Sequence, residues 1–251
     1  MRKVLLSRIS LVFSAFAALA FCVALPATAQ QYVVDDAAIV DPGACHLEAW
    51  HGRHASWILP ACQPISNWEF AAGVGFVDEG DGAREPTYAL EAKTLLRSLS
   101  PNDWGIGIVL GLGPNPSAVP GERRLGDVYA FLPASLSLSD DLVVLHGNAG
   151  WQWDRADRQE DGGPGEGDHE VTWGVRADLG LFPDLTAIGE LSEEGSARPE
   201  YQSGVRIHLP DAGIEIDLSW GGHLEEGERG ARFTAGVQFV SGRIFGVGGE
   251  T

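Results

Sequence analysis

Apolar and polar positions alternate with a period of two along most of the chain after residue 44, and no long helical pattern interrupts them. In the stretch 169–181 the odd positions are apolar, from Val171 to Leu181, whereas the even positions are polar, charged or glycine. Successive side chains of a β-strand point to opposite faces of a sheet. The alternation therefore predicts strands that each have one apolar face and one polar face.

The spacing of these stretches predicts a closed barrel. We expect twelve strands, near 45–52, 56–63, 67–77, 86–97, 103–112, 125–138, 142–153, 169–181, 185–192, 200–208, 213–222 and 231–240. Short turn-forming connections, such as Phe182-Pro183-Asp184, alternate with longer charged and glycine-rich ones, such as 154–168. Short turns at one end and longer loops at the other are typical of outer-membrane barrels. The fold class predicted is all-β, a transmembrane antiparallel up-and-down β-barrel of about 12 strands.

Aromatic residues favour a membrane barrel over a soluble one, in which the apolar face would be a core. Trp and Tyr lie near the ends of the apolar faces, where they would form girdles at the two lipid interfaces. These residues are Trp68, Tyr88, Trp104, Trp153, Tyr201 and Trp220. The opposite faces carry many charges, which suit a water-filled lumen. An even strand number also brings both termini to the periplasmic side.

The first residues have the features of an export signal. Arg2, Lys3 and Arg8 form a basic start, an apolar run follows, and Ala27-Thr28-Ala29 is the small-x-small pattern of a cleavage site. We expect cleavage after Ala29 and delivery to the bacterial outer membrane. The predicted organisation is a signal peptide over 1–29, a periplasmic N-terminal segment over 30–44, the barrel over 45–245 and a C-terminal tail over 246–251.

The chain is strongly acidic, with a formal net charge of −18 at pH 7. Cleavage would remove three basic residues, which leaves 14 basic against 35 acidic side chains and a charge of −21. Such a protein is not expected to bind nucleic acid through its phosphates. The partners we expect are outer-membrane lipid and lipopolysaccharide, the barrel-assembly machinery and a small-molecule solute, with the barrel as a monomer.

Two cysteines, Cys45 and Cys62, remain after cleavage. If Arg53-His54 is a two-residue turn, opposed residues of the first hairpin sum to 107, so that Cys45 faces Cys62 and Leu47 faces Pro60. Export places these thiols in an oxidising compartment, where a disulfide is favoured over two free cysteines. We therefore predict a structural disulfide, with free buried thiols as the alternative.

Strand parity places a set of charged side chains on the lumen face. They are Glu69, Glu91, Lys93, Arg97, Asp127, Glu170, Arg176, Asp178, Glu190, Arg206, His208, Glu215, Asp217 and Arg232. These charges have two interpretations: a salt-bridged interior that holds the wall together, or a charged constriction that selects solutes. Acids outnumber bases, so an open pore would favour cations.

The start of the predicted mature chain carries a family resemblance. Residues 34–43, Val-Asp-Asp-Ala-Ala-Ile-Val-Asp-Pro-Gly, run into Cys45-His46-Leu47-Glu48-Ala49-Trp50, and Leu59–Cys62 and Asn67–Phe70 follow. This opening resembles the outer-membrane proteins grouped with the MetA pathway of phenol degradation. The resemblance implies a barrel and a transport role, without a catalytic site. One departure is the C-terminus, because barrels of this compartment usually end on an aromatic residue, whereas here six residues follow Phe245.

No catalytic or metal site is predicted. His46 and His51 have opposite parity and His54 falls in a turn, so the three imidazoles do not converge on one ion. The acidic loop 154–168 lacks the regular spacing of a calcium loop. We see no set of nucleophile, base and orienting group, and expect no cofactor. The expected function is a channel or transporter for small solutes, including hydrophobic or aromatic compounds as the resemblance suggests. The alternatives are a plugged structural barrel and an outer-membrane lipid-modifying enzyme.

Overall fold

A computed structural model describes residues 32–52, 55–78, 84–114, 125–154, 167–194, 199–224 and 232–245. The predicted signal peptide, the turn at Arg53-His54, most of the long connections and the C-terminal tail lie outside these ranges. The predictions made for those parts of the chain therefore stay predictions.

Twelve antiparallel strands form a closed barrel in which each strand pairs with its neighbours in sequence and β1 pairs with β12. The strands are β1 (Cys45–Gly52), β2 (Ala55–Ile65), β3 (Trp68–Asp78), β4 (Arg84–Arg97), β5 (Trp104–Pro114), β6 (Leu125–Leu138), β7 (Val143–Asp154), β8 (Asp168–Phe182), β9 (Leu185–Glu194), β10 (Glu200–Leu209), β11 (Ile214–His223) and β12 (Arg232–Val240). The predicted fold class is confirmed, and β1 and β6 have the bounds expected from the sequence.

Five connections within the described residues lie at one end of the barrel, which we call the turn end. They are 66–67, 98–103, 139–142, 183–184 and 210–213, the last of which contains a short 3₁₀ turn at Pro210–Ala212. Asn67 and Asn102 adopt positive φ angles of 59° and 58°, a conformation that asparagine tolerates better than most residues. β1 begins and β12 ends at this same end. We call the opposite end the loop end.

The outer face of the barrel is apolar. Among its exposed side chains are Leu110, Val171, Val175, Leu179 and Val237. Trp68 and Trp104 lie at the turn end and Trp220 and Phe233 near the loop end, all of them exposed. An apolar surface of this extent is unfavourable in water and suits contact with lipid tails, with aromatic residues at the two interfaces. No helix in the described ranges is long and apolar enough to cross a membrane.

The predicted disulfide joins Cys45 to Cys62. The register of the first hairpin is the one expected, with Cys45 opposite Cys62 and Leu47 opposite Pro60. Cys45 shares a strand face with Leu47, whose side chain is exposed on the outside of the wall. The bond therefore ties β1 to β2 at the turn end without occupying the lumen.

The structure corrects the predicted position of Arg97. Leu95 pairs with Gly107, whereas Arg97 pairs with Ile106, so β4 contains an irregularity that shifts the alternation by one residue. Ile106 and Trp104 share the outer face of β5. The Arg97 guanidinium lies 4.1 Å from the centre of the Trp104 ring and pairs with Asp103. Arg97 is thus part of the turn-end rim on the outer face rather than of the lumen lining.

Candidate functional site: the lumen and its N-terminal segment

Residues 32–44, which we call the N-terminal segment, enter the barrel interior. The backbone N–H groups of Val33 and Val34 donate to the Glu190 carboxylate at 2.9 and 3.1 Å, and the N–H of Val40 donates to Glu69 at 2.9 Å. Val34 and Ala37 have no exposed surface. The segment therefore crosses the lumen from β3 to β9. The predicted periplasmic N-terminal segment over 30–44 did not include this placement inside the lumen.

Charged side chains of the wall hold the N-terminal segment. Lys93 Nζ lies 2.8 Å from Asp35 Oδ2 and 3.4 Å from Asp36 Oδ1. On the other side of the lumen, Arg176 Nη1 donates to the backbone oxygen of Val34 at 2.6 Å. Lys93 is only 6% exposed, whereas the side chains of Asp35 and Asp36 are 32% and 35% exposed, so solvent screens these contacts in part.

The charges around Asp36 change its proton affinity. Burial by itself would raise the pKa of the Asp36 carboxyl, but the positive charges of Lys93, Arg176 and His146 lower that pKa to about 2. Asp36 is therefore ionised across the neutral and mildly acidic range. The ion pair that it forms with Lys93 depends on that charge.

A second anchor connects the segment to β6, β7 and β8. The N–H of Ala37 donates to Ser135 Oγ at 2.8 Å, and Ser135 Oγ lies 2.8 Å from His146 Nδ1. His146 Nε2 lies 3.5 Å from Asp178, which accepts hydrogen bonds from Arg176 at 2.9 and 3.2 Å. Serine, histidine and aspartate meet here, but Ser135 is buried beneath the segment and its oxygen accepts a backbone N–H. The geometry supports an anchoring role for these side chains.

A third charged cluster lies on β10 and β11. Arg206 Nε and Nη2 donate to Asp217 at 2.8 and 2.9 Å, and Arg206 Nε lies 3.5 Å from Glu215. Glu215 also contacts His208 Nδ1 at 2.9 Å, while His208 Nε2 contacts Thr186 at 3.0 Å. Facing strands thus neutralise each other's charges, which stabilises the wall of the barrel from inside.

The structure separates the predicted lumen residues into groups. Lys93 and Arg176 hold the segment, while Arg206, His208, Glu215 and Asp217 pair across the wall. Glu170 lies on the inner face of β8 opposite Gln152. For Arg232 only the backbone is described, and β12 pairs it with Gly221.

The two described histidines near the start of the barrel, His46 and His51, lie on opposite faces of β1. His46 faces the lumen, and its Nδ1 lies 3.1 Å from the Gln238 amide nitrogen. His51 faces the outside of the barrel, and its Nδ1 lies 2.7 Å from Ser56 Oγ. His54 lies outside the described residues. Within the part of the chain that the structure describes, no group of three histidine, cysteine or acidic side chains could hold a metal ion.

A cavity of about 920 Å³ lies in the lumen and extends from the N-terminal segment towards the loop end. Residues of the segment, from Tyr32 to Asp41, form its floor. Its wall near the loop end includes Trp50, Ala55 and Asp127, which lie within a few residues of the loop ends of their strands. We call this cavity the vestibule. It is large enough for a small organic molecule.

Aromatic rings line two parts of the vestibule wall, one on β1 and β2 and the other on β6. The Trp50 and Trp57 rings have centroids 6.2 Å apart, and the Tyr129 and Phe131 rings are stacked at the same distance. Glycines on the inner face let these rings lie flat on the wall. A Cβ atom at Gly111 would overlap the ring of Tyr129. Strand β5 therefore needs a residue without a side chain at position 111, because a larger residue would push the Tyr129 ring further into the lumen.

Two carboxylates lie beside these rings. Tyr129 donates its hydroxyl hydrogen to Glu91 Oε2 at 3.0 Å. Glu48 lies on the same face of β1 as Trp50, and its nearest basic neighbour is His46 Nε2 at 4.0 Å. Within the described ranges neither carboxylate has a lysine or arginine ion-pair partner. The vestibule therefore combines aromatic faces with negative charge.

Sequence reasoning missed several of these residues. In the sequence Asp35 and Asp36 belong to the family-like opening, and a lone serine on a strand, such as Ser135, is too common to indicate a role. Trp50 and Trp57 were not assigned to the lumen. The alternation along β1 would have placed Trp50 in the lumen, because Trp50 shares the strand face of His46 and Glu48. No local pattern indicates that the N-terminal segment turns inward.

Comparison with known families gives one match that covers most of the chain. Residues 16–240 match the model of the family described as "Uncharacterised conserved protein UCP029691". The chain belongs to this family. The match does not extend to the proteins grouped with the MetA pathway of phenol degradation, so that resemblance stays a prediction. Comparison with curated proteins gave no match.

Solved structures support the same architecture. The structure described as "KdgM porin in complex with disordered oligogalacturonate" is similar with a TM-score of 0.55 and 11% identity over 78% of this chain and 98% of that chain. The NanC porin is similar with a TM-score of 0.53 and 10% identity, over 78% of this chain and 98% of that chain. The COG4313 outer membrane channel from Pseudomonas putida F1 is similar with a TM-score of 0.56 and 11% identity, over 84% of this chain and 99% of that chain. At such low identity these likenesses establish the barrel fold alone.

Proposed function

We propose that this protein is an outer-membrane channel for small solutes whose lumen is closed by its own N-terminal segment. One observation carries the proposal: a closed barrel with an apolar outer face encloses a vestibule whose floor is a polypeptide held largely by polar contacts. The porins and the channel with the same fold support a channel role. The predicted signal peptide supports delivery to the outer membrane, where lipid, lipopolysaccharide and the barrel-assembly machinery would be its partners.

The contacts of the floor allow it to move independently of the wall. The wall is a continuous ladder of backbone hydrogen bonds around twelve strands. The N-terminal segment pairs with no strand along its residues 33–40 and relies on side chains such as Lys93, Glu190 and Ser135. Segments with few apolar contacts open at a lower free energy than the structure that surrounds them. We therefore propose that release of the segment opens the channel while the barrel stays folded.

The lining of the vestibule suits small amphipathic solutes. Trp50, Trp57, Tyr129 and Phe131 offer apolar and aromatic surface, while charged groups lie around them. This combination agrees with the solute class suggested by the sequence resemblance, namely hydrophobic or aromatic compounds. Excess acid along the lining would also make an opened pore prefer cations to anions.

The experiment that tests this function is conductance of the refolded protein in planar bilayers. The full chain is compared with a variant that lacks residues 32–41, and heat-modifiable gel mobility first verifies that both are folded barrels. We expect small or infrequent conductance steps from the full chain and larger, cation-preferring steps from the deletion variant. A folded deletion variant without conductance would contradict the proposal.

A structural barrel with a permanently filled lumen is the second candidate. The complete burial of Val34 and Ala37 and the contacts that Lys93, Arg176 and Ser135 make with the segment favour it, because they fix the segment to the wall. This candidate predicts that removal of the segment lowers the stability of the barrel and produces no steps. The same comparison therefore decides between the two functions.

A further inference from the structure

The charge of the vestibule narrows the class of ligand it can hold. We propose that the vestibule binds organic cations of low charge density, such as quaternary ammonium ions, between its aromatic rings and the carboxylates of Glu48 and Glu91; this builds on the channel function proposed above. It names a substrate class that the fold and the family match leave open.

The aromatic side of the vestibule offers the first half of such a site. Cations of low charge density bind against the faces of Trp and Tyr, because the ring quadrupole is negative there. Trp50 and Trp57 are inclined at 32° with centroids 6.2 Å apart, so their rings form one broad surface. Tyr129, on β6, adds a third ring to the lining. Strands β3, β4 and β5 separate it from the tryptophan pair on β1 and β2.

The carboxylates offer the second half. Glu48 is two positions from Trp50 on the same face of β1, and Glu91 accepts the hydroxyl hydrogen of Tyr129 at 3.0 Å. Glu91 therefore contacts an aromatic side chain directly, and Glu48 shares its strand face and the vestibule lining with another. Within the described ranges neither carboxylate forms an ion pair with lysine or arginine, so a bound cation near either one would supply a charge partner that the wall does not.

The cationic side chains of the lining are already occupied. Lys93 pairs with Asp35 and Asp36 in the floor. Arg176 binds Asp178, and Arg206 binds Asp217 through two hydrogen bonds. An anionic ligand would have to break one of these pairs to find a positive partner. A cationic ligand would approach Glu48 and Glu91 without breaking an ion pair with lysine or arginine.

An inorganic divalent ion fits this arrangement poorly. Such ions require several oxygen ligands at short distance, and no group of three acidic, histidine or cysteine side chains within the described ranges could supply them. Aromatic faces add nothing to the binding of a strongly hydrated ion. The vestibule thus favours a weakly hydrated cation, whose dehydration costs little free energy.

The test is equilibrium dialysis of the refolded full chain in detergent with radiolabelled choline, competed by unlabelled choline or by 3,3-dimethylbutan-1-ol, its neutral isostere. We expect saturable choline binding and competition at least about tenfold weaker from the alcohol, since only the charge differs. Glu48→Gln, Glu91→Gln and Trp57→Leu should each weaken choline binding about fivefold or more. Asp211→Asn removes the same charge from an exposed turn outside the lumen and should leave binding unchanged.

Equal competition by the two compounds, or equal binding by the Gln variants and the Asp211→Asn control, would overturn the proposal. Binding in detergent needs no conduction, so the two proposals fail separately. A deletion variant that conducts, together with a full chain that does not distinguish choline from the alcohol, overturns only the ligand class. A barrel that binds choline but never conducts retains the ligand site and overturns the channel function.

Discussion

The ammonium nitrogen of Lys93 lies 2.8 Å from a carboxylate oxygen of Asp35, which joins strand β4 of the wall to the segment that crosses the lumen. Lys93 is nearly buried, and Asp36 lies within 3.4 Å of the same nitrogen. One side chain of the wall therefore contacts two consecutive acids of the floor. This contact makes the position of the N-terminal segment sensitive to charge.

Loss of the Lys93 charge should release the segment. A Lys93→Met variant leaves Asp35 and Asp36 without their cation and should destabilise the closed position by about 1.5–3 kcal/mol, the range for hydrogen bonds to charged groups. That corresponds to a shift of about tenfold to hundredfold towards the open state. Bilayer conductance and protease cleavage within residues 32–41 measure the change. The control is Arg97→Met, which removes one positive charge from the outer face. Indistinguishable behaviour of the two variants would refute the proposal that Lys93 holds the segment in place.

Acid should have a similar effect through Asp36. Burial would raise the pKa of Asp36, but Lys93 and the neighbouring cations lower it to about 2, below the ordinary value of 3.8. A folded-state pKa below the unfolded one contributes stability that is complete above about pH 4 and is lost as the pH falls towards 2. We expect conductance to rise over this range. An Asp36→Asn variant should conduct more at neutral pH and respond less to acid, and an identical pH profile would count against the assignment.

The position of the Tyr129 ring should depend on the absence of a side chain at Gly111 on the neighbouring strand β5. In a Gly111→Ala variant the new Cβ would overlap the ring, which must move into the vestibule and away from Glu91. Overpacking of this kind costs about 1–3 kcal/mol. The midpoint of urea unfolding and choline dialysis measure the two effects. Gly189→Ala is the matched control because a Cβ there meets nothing within 4 Å, and equal midpoints for the two variants would disprove the contact.

The disulfide should affect stability and leave conductance unchanged. Replacing Cys45 and Cys62 by serine removes a cross-link between residues 17 positions apart and should lower the free energy of unfolding by about 2–4 kcal/mol. The bond lies on the outer face, so the vestibule and its floor keep their contacts. Urea unfolding of the double variant, with the reduced wild type as the control, measures the loss. A large change in single-channel conductance would indicate that the first hairpin contributes to the pore.

Parity predicted most of the inner face because side chains alternate strictly along a regular strand. Arg176, Asp178, Arg206 and Asp217 were all placed on the polar face, and the structure has them there in two ion-paired clusters. Parity did not predict which acid pairs with which base. Pairing depends on the register between neighbouring strands, and a turn sequence indicates that register only for the tightest hairpins, such as the one that contains Cys45 and Cys62.

Arg97 marks the limit of the alternation. The irregularity between Leu95 and Arg97 shifts the alternation by one position and turns the later side chains to the other face. The sequence around it shows no glycine or proline that would indicate a bulge. Once displaced, the guanidinium finds Trp104 and Asp103 at the rim, two partners that only the pairing of β4 with β5 brings within reach.

The sequence by itself determined the barrel, its strand number, its apolar outside and its first disulfide, because each follows from a period of two and from turn chemistry within a few residues. Only the tertiary structure decided that residues 33–40 lie in the lumen. That placement depends on Lys93, Ser135, Arg176 and Glu190, which are 50 to 160 positions away along the chain and converge only when the barrel closes. The same closure brings Glu48, Glu91 and the aromatic rings around one cavity.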